Sequence, residues 1–128
     1  FYRLGGNFSL NWNSFNLQGL AFQGVDDRAF NVFDPKTDYA FWGGVLQLDW
    51  AGLPNNRLVG SLMYNWVCPP DSEEARRLDA FSVLGRYYLG SWLAVNVAVH
   101  AEYTHRVFGT GEYSIKDDLF TILLDFDF

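Results

Sequence analysis

Apolar and polar residues alternate with a period of two along most of this chain, which is the pattern of strands with one apolar and one polar face. In the first run, about 2–12, Tyr2, Leu4, Gly6, Phe8, Leu10 and Trp12 share one face, while Arg3, Gly5, Asn7, Ser9 and Asn11 share the other. The run at about 39–51 sets Trp42, Gly44, Leu46, Leu48 and Trp50 against Gln47 and Asp49. The run at about 57–67 sets Leu58, Leu62, Tyr64 and Trp66 against Ser61, Met63 and Asn65. At about 80–89, Phe81, Val83, Tyr87 and Leu89 oppose Ser82, Arg86 and Tyr88. At about 92–107, Leu93, Val95, Val97, Val99, Ala101 and Tyr103 oppose Asn96, His100, Glu102, Thr104 and Arg106. The last run puts Phe120, Ile122, Leu124, Phe126 and Phe128 against Thr121, Leu123, Asp125 and Asp127. A further strand at about 15–25 is ambiguous, because neither Leu17/Gly19/Ala21 nor Leu20/Phe22 makes a clean face.

The connections between these seven runs alternate in length. Asn13-Ser14, Gly52 to Asn56 and Gly90-Ser91 read as tight turns, with Gly, Pro, Asn and Ser at the bends. Asp26–Asp38, Cys68–Asp79 and Gly109–Asp118 are long loops. Trp12, Trp50, Leu89 and Trp92 gather at the short-turn ends, and Tyr39, Trp42, Trp66, Phe81 and Tyr103 near the long-loop ends. Two aromatic bands at opposite ends of the strands are the arrangement of interfacial girdles.

Composition narrows the class. Aromatics make up 19% of the 128 residues, including 5 Trp, as large a share as all charged residues together. No stretch approaches the roughly 18 consecutive apolar residues of a membrane-spanning helix. A mean hydropathy of −0.06 carries no information for a barrel, where lipid-facing and lumen-facing residues cancel. Neither an initiator Met nor a signal segment precedes Phe1, so the chain is expected to follow a removed signal peptide or to begin within a longer protein.

Charge is segregated along the chain. Each long loop holds two more carboxylates than cations, and together the three loops account for the net charge of −6. Arg3, Arg86, Arg106 and the turn-proximal Arg57 balance Asp49, Glu102, Asp125 and Asp127, and the charges within the strands fall on the polar parity. A cation facing lipid at mid-membrane costs about 2–4 kcal/mol, which accounts for such segregation. The fold expected is an antiparallel transmembrane β-barrel. Seven strands are an odd number, and single-chain bacterial barrels have an even number of at least eight. The chain therefore reads as the C-terminal portion of a larger barrel, or as a complete eight-stranded barrel with one strand merged.

The closing segment resembles the final strand of bacterial outer-membrane β-barrels, which ends on an aromatic read by the insertion machinery; Phe126 and Phe128 carry that resemblance. Phe41-Trp42-Gly43-Gly44, Arg86 to Gly90 and Asn96 to Tyr103 are similar to C-terminal strands of large porins, some of which sheath multihaem cytochromes. The resemblance implies a Gram-negative outer-membrane location, with short turns periplasmic and long acidic loops extracellular. It also implies outer-membrane lipid and lipopolysaccharide as surroundings, and an oligomer or a cytochrome as a partner.

No catalytic motif is present: the chain lacks Gly-x-Ser-x-Gly, His-Glu-x-x-His, a phosphate loop and Cys-x-x-Cys-His. An enzyme is not expected, nor a cofactor. Acidic loops exclude a basic nucleic-acid surface and fit divalent cations bridging to lipopolysaccharide phosphates. Cys68, beside Pro69-Pro70 in a loop, reads as an incidental thiol. His100, Glu102 and Asp125 could approach one another as cation ligands, but a polar wall in which Arg86 and Arg106 pair with carboxylates is the preferred reading, and no metal site is assigned. His105 follows the outward parity near the rim. The function expected is a porin-like channel for small solutes or ions. Its lumen would be lined by Arg3, Asn7, Asn11, Gln47, Asp49, Asn65, Arg86, Asn96, His100, Glu102, Arg106, Asp125 and Asp127. An insulating scaffold around a cytochrome and a small structural barrel are the alternatives. A lipocalin-like barrel would have to expose Trp42, Trp50 and Trp66 to water.

Overall fold

The computed structural model describes residues 1–26, 38–70, 76–92, 95–110 and 114–127, with the backbone alone at Ser91, Trp92 and Asp127. The period-two segments form seven strands: β1 (Tyr2–Trp12), β2 (Phe15–Asp26), β3 (Tyr39–Gly52), β4 (Leu58–Cys68), β5 (Leu78–Trp92), β6 (Val95–Phe108) and β7 (Ile115–Asp127). They make one sheet in the order β1-β2-β3-β4-β5-β6-β7. Every neighbouring pair is antiparallel. The sheet is not closed, since no ladder joins β1 to β7.

Tight turns set the register. Asn13 adopts φ 52°, a left-handed conformation that Asn tolerates better than most residues. Its two-residue turn fixes Trp12 opposite Phe15, and hence Asn11 opposite Asn16. The β3–β4 turn is a short 3-10 segment, Pro54–Asn56. In it Leu53, Asn55 and Asn56 all have positive φ.

That register settles the ambiguity of β2. Leu17, Gly19, Ala21, Gln23 and Val25 lie on the apolar face, opposite Leu10, Phe8, Gly6, Leu4 and Tyr2. The face looks gapped in sequence because neighbouring aromatics fill it: a Cβ at Gly19 would stand 2.5 Å from the Phe8 ring. Leu20 and Phe22 point to the polar face.

Four sequence readings need correction. The β5–β6 ladder continues past Gly90-Ser91, with an irregularity between Tyr88 and Gly90 that leaves Leu89 unpaired. Trp92 therefore ends β5 rather than beginning the next strand, and Leu93 lies outside the described residues. Cys68 is the buried last residue of β4, opposite Trp42, and not a loop residue. The β6–β7 ladder reaches Phe108↔Ile115, which brings Lys116, Asp117 and Asp118 into the sheet; Asp79 likewise lies in β5. Hydrogen bonding to the neighbouring strand outweighs the charge of these residues. Tyr39, read as part of the outer aromatic band, stands on the polar face beside Phe41 (centroids 6.1 Å apart).

Burial is inverted relative to a water-soluble sheet. Among the described residues no large side chain is fully buried, and apart from glycines the buried residues are Cys68, Ala80, Ser82 and Ala98. Leu46, Leu62, Val83 and Leu124, on the apolar face, are exposed, whereas Gln47, Asp49, Arg86, His100 and Glu102 opposite them are half-buried. Crowding on the polar side is what a sheet curling towards its polar face produces. Among the described residues no second layer covers the apolar side.

Candidate functional site: a continuous polar face

Because paired residues share a face, the ladders link the sequence-expected lumen residues directly. One row runs Asn7↔Leu20↔Val45↔Asn65↔Ala80↔Arg106↔Asp117. A second runs Asn11↔Asn16↔Asp49↔Ser61↔Leu84↔Glu102↔Thr121. Gln47 lies between Gln18 and Met63, and Arg86 opposite His100. Asp125 pairs with Ala98, Asp127 with Asn96, and Arg3 with Gly24. All thirteen positions fall on one face. Of the expected assembly residues, Phe126 lies on the apolar face opposite Val97, and Phe128 lies outside the described residues.

The face is held by two kinds of contact. In β2–β4 a hydrogen-bonded cluster centres on Asp49. Its Oδ1 accepts from Gln47 Nε2 at 2.8 Å and Ser61 Oγ at 2.5 Å, and its Oδ2 accepts from Gln18 Nε2 at 3.5 Å. Asn16 Nδ2 donates to Asn11 Oδ1 at 2.6 Å. Towards β5–β7, ion pairs take over. Arg86 Nε stands 3.1 Å from Asp125 Oδ2, and Arg106 pairs with Asp117. At the long-loop end of β1, Arg3 pairs with Asp26 at 2.6 Å and stacks its guanidinium 4.8 Å from the Phe41 ring centre. Such half-exposed pairs each contribute at most about 1 kcal/mol, so they order the side chains more than they stabilise the sheet.

His100 Nε2 is 3.4 Å from Glu102, and its Nδ1 is 3.9 Å from Asp125. These distances suit a polar wall. No group of three or more His, Cys, Asp or Glu among the described residues is arranged to hold a metal ion. Arg86 pairs with Asp125 as expected, whereas Arg106 takes Asp117, a residue read from sequence as loop.

The sequence places Ser61, Ser82 and Thr104 on this face by parity, whereas Asn16, Gln18, Asp26 and Asp117 escaped it. For Asn16 and Gln18 the signal existed, since the Asn13-Ser14 turn dictates their pairing with Asn11 and Ser9. The parity rule for charges also fails at the long-loop end of the apolar face. There Asp79 accepts from Tyr64 (2.5 Å) and Arg77 (2.8 Å), and Asp118 accepts from Tyr103 (2.7 Å) beside His105. The carboxylates themselves stand second in β5 and fourth in β7.

Comparison with protein-family models, curated proteins and solved structures found no match.

Proposed function

We propose that this sheet is part of the wall of an outer-membrane β-barrel that works as a porin-like channel for the passive diffusion of small solutes or ions. The observation that carries the reading is the inverted burial. Leu46, Leu62, Val83, Ile122 and Leu124 are left exposed on one face, against clusters of hydrogen-bonded and ion-paired side chains on the other. In water, an apolar surface of this extent demands a partner. An apolar solvent on that side and water on the other satisfies both faces at once. The aromatic bands at Trp12/Trp50 and Trp42/Trp66/Phe81/Tyr103 then lie at the two interfaces. The open edges of β1 and β7 call for further strands, because unpaired backbone groups are costly in lipid. On this reading the long acidic loops are extracellular, among lipopolysaccharide and divalent cations, and the short turns are periplasmic.

With Asp26 and Asp117 added, the polar face carries six carboxylates (Asp26, Asp49, Glu102, Asp117, Asp125 and Asp127) against Arg3, Arg86 and Arg106. The pore is therefore expected to prefer cations. Reversal potentials of the full-length protein in planar bilayers test this. Cation preference should increase in Arg86→Glu and weaken between 0.1 M and 1 M salt, as the Debye length falls from about 10 Å to about 3 Å. Absence of conductance, or an unchanged reversal potential in Arg86→Glu, overturns the channel reading. The scaffold reading, a barrel wrapped around a partner such as a cytochrome, draws support from Leu20, Leu119 and Leu123. These are apolar, 41%, 49% and 50% exposed, and on the polar face.

A further inference from the structure

The polar face is chemically divided. Its β5–β7 half carries the Arg86–Asp125 and Arg106–Asp117 pairs, whereas its β1–β3 half, apart from Arg3–Asp26 at the long-loop end and Asp49, is rich in amides and hydroxyls. In that second half lies an open cleft of about 320 Å³. Its polar lining is Asn7, Ser9, Gln18 and Gln47, and its apolar lining includes Leu20 and Val45. No charged side chain lines it. We infer that this cleft binds an uncharged, hydroxylated ring of monosaccharide size. The inference deepens the channel reading and rests on it only for the ligand's route of entry.

Three features argue for that ligand. First, Asp49 fixes the orientation of two amides. A carboxylate only accepts hydrogen bonds, so the nitrogens of Gln18 and Gln47 must face it. Their carbonyl oxygens are left as acceptors, side by side, because Gln18 and Gln47 are directly paired. Second, Asn7 makes no side-chain hydrogen bond among the described residues and lies across from Leu20. It offers a donor and an acceptor at the other rim of the cleft. Third, Leu20 and Val45 are paired across β2–β3 and form an apolar floor. A sugar-like ring presents C–H groups on its face and hydroxyls round its edge, and so matches floor and rim together. An anion would meet carbonyl acceptors with no cation to compensate it. A hydrated inorganic cation would gain nothing from Leu20 and Val45. The volume lies at the small end of the range for ligand sites, about 300–1,000 Å³.

Two measurements on the full-length protein separate this inference from the channel reading. Saturation-transfer NMR on detergent-solubilised protein detects weak binding of D-glucose without needing a pore, and swelling of proteoliposomes in glucose reports passage. Transfer to glucose is expected in the wild type, with little to sodium gluconate. In Gln18→Leu/Gln47→Leu the glucose affinity should fall about thirtyfold, given roughly 1 kcal/mol for each of the two hydrogen bonds lost. Asn7→Leu, which breaks no side-chain hydrogen bond among the described residues, gives a second reading should the double variant not fold. Absent transfer in the wild type, equal transfer to gluconate, or unaltered affinity in the folded variants overturns the inference. Binding that is lost in the variants, together with no vesicle swelling, supports the cleft and overturns the channel reading alone.

Discussion

Replacing Leu62 by Arg places a cation at the fifth position of the eleven-residue strand β4, in the middle of the apolar face. Its ladder neighbours are Leu48 and Val83. The nearest carboxylate on that face is Asp79, level with Trp66. Four residues along the strand at about 3.3 Å each is about 13 Å, further than the screening length of about 10 Å at 0.1 M salt. No counter-charge is therefore within reach. If lipid lies against this face, the substitution costs about 2–4 kcal/mol, the penalty for Arg near a bilayer midplane. If water lies there, Leu62 is already 44% exposed, and a surface substitution changes stability by only about 0.5 kcal/mol. The neighbouring Met63 is half-buried on the opposite, polar face, between Gln47 and Ser82. Met63→Arg is the internal control, with a cost below about 1 kcal/mol, since the new charge stays among polar groups. Urea unfolding in lipid vesicles, followed by tryptophan fluorescence, measures both variants. A loss for Leu62→Arg that exceeds that of Met63→Arg by at least 1 kcal/mol is expected. Equal losses within about 0.5 kcal/mol would refute the assignment of faces to solvents.

Gly19→Val should destabilise by about 1–3 kcal/mol through overpacking, since its new Cβ would stand 2.5 Å from Phe8, whereas Gly6→Ala, with nothing within 4 Å, should cost far less; denaturation midpoints of the two variants check this. Leu53 holds φ 67° and ψ 160°, a region almost reserved for glycine, so Leu53→Gly should raise stability by about 1 kcal/mol in the same titration, and a lowered midpoint would count against strain in this turn.

Strand existence and the polar face were readable because the side-chain period is two and tight turns leave little freedom of register. Asn7, Gln47, Glu102 and Arg106 could be assigned to one face before any pairing was known. What escaped was local. In β2 the alternation is hidden because Gly19 supplies space to Phe8 instead of bulk of its own. The end of β5 was misjudged because a ladder can absorb an extra residue, Leu89, without stopping at the glycine that follows. Asp117 and Asp118 looked like loop because charge suggests solvent. At the rim of a sheet, though, a carboxylate opposite Arg106, or beside Tyr103 and His105, is satisfied within the strand. The Asp49 cluster was out of reach for a different reason. It joins β2, β3 and β4, and its composition depends on two registers at once.

Every ladder in this sheet joins strands adjacent in the chain, which bears on how it can be built. Closing a loop costs only about 0.6 kcal/mol more for each doubling of its length, so the long and short connections here differ little in entropic cost. Each hairpin can be added to the last without rearranging those already in place. However many strands have formed, only two backbone edges stay open, one at the first strand and one at the most recent. Growth of this kind exposes one new edge at a time, and in the barrel proposed above the final step would be the meeting of two edges.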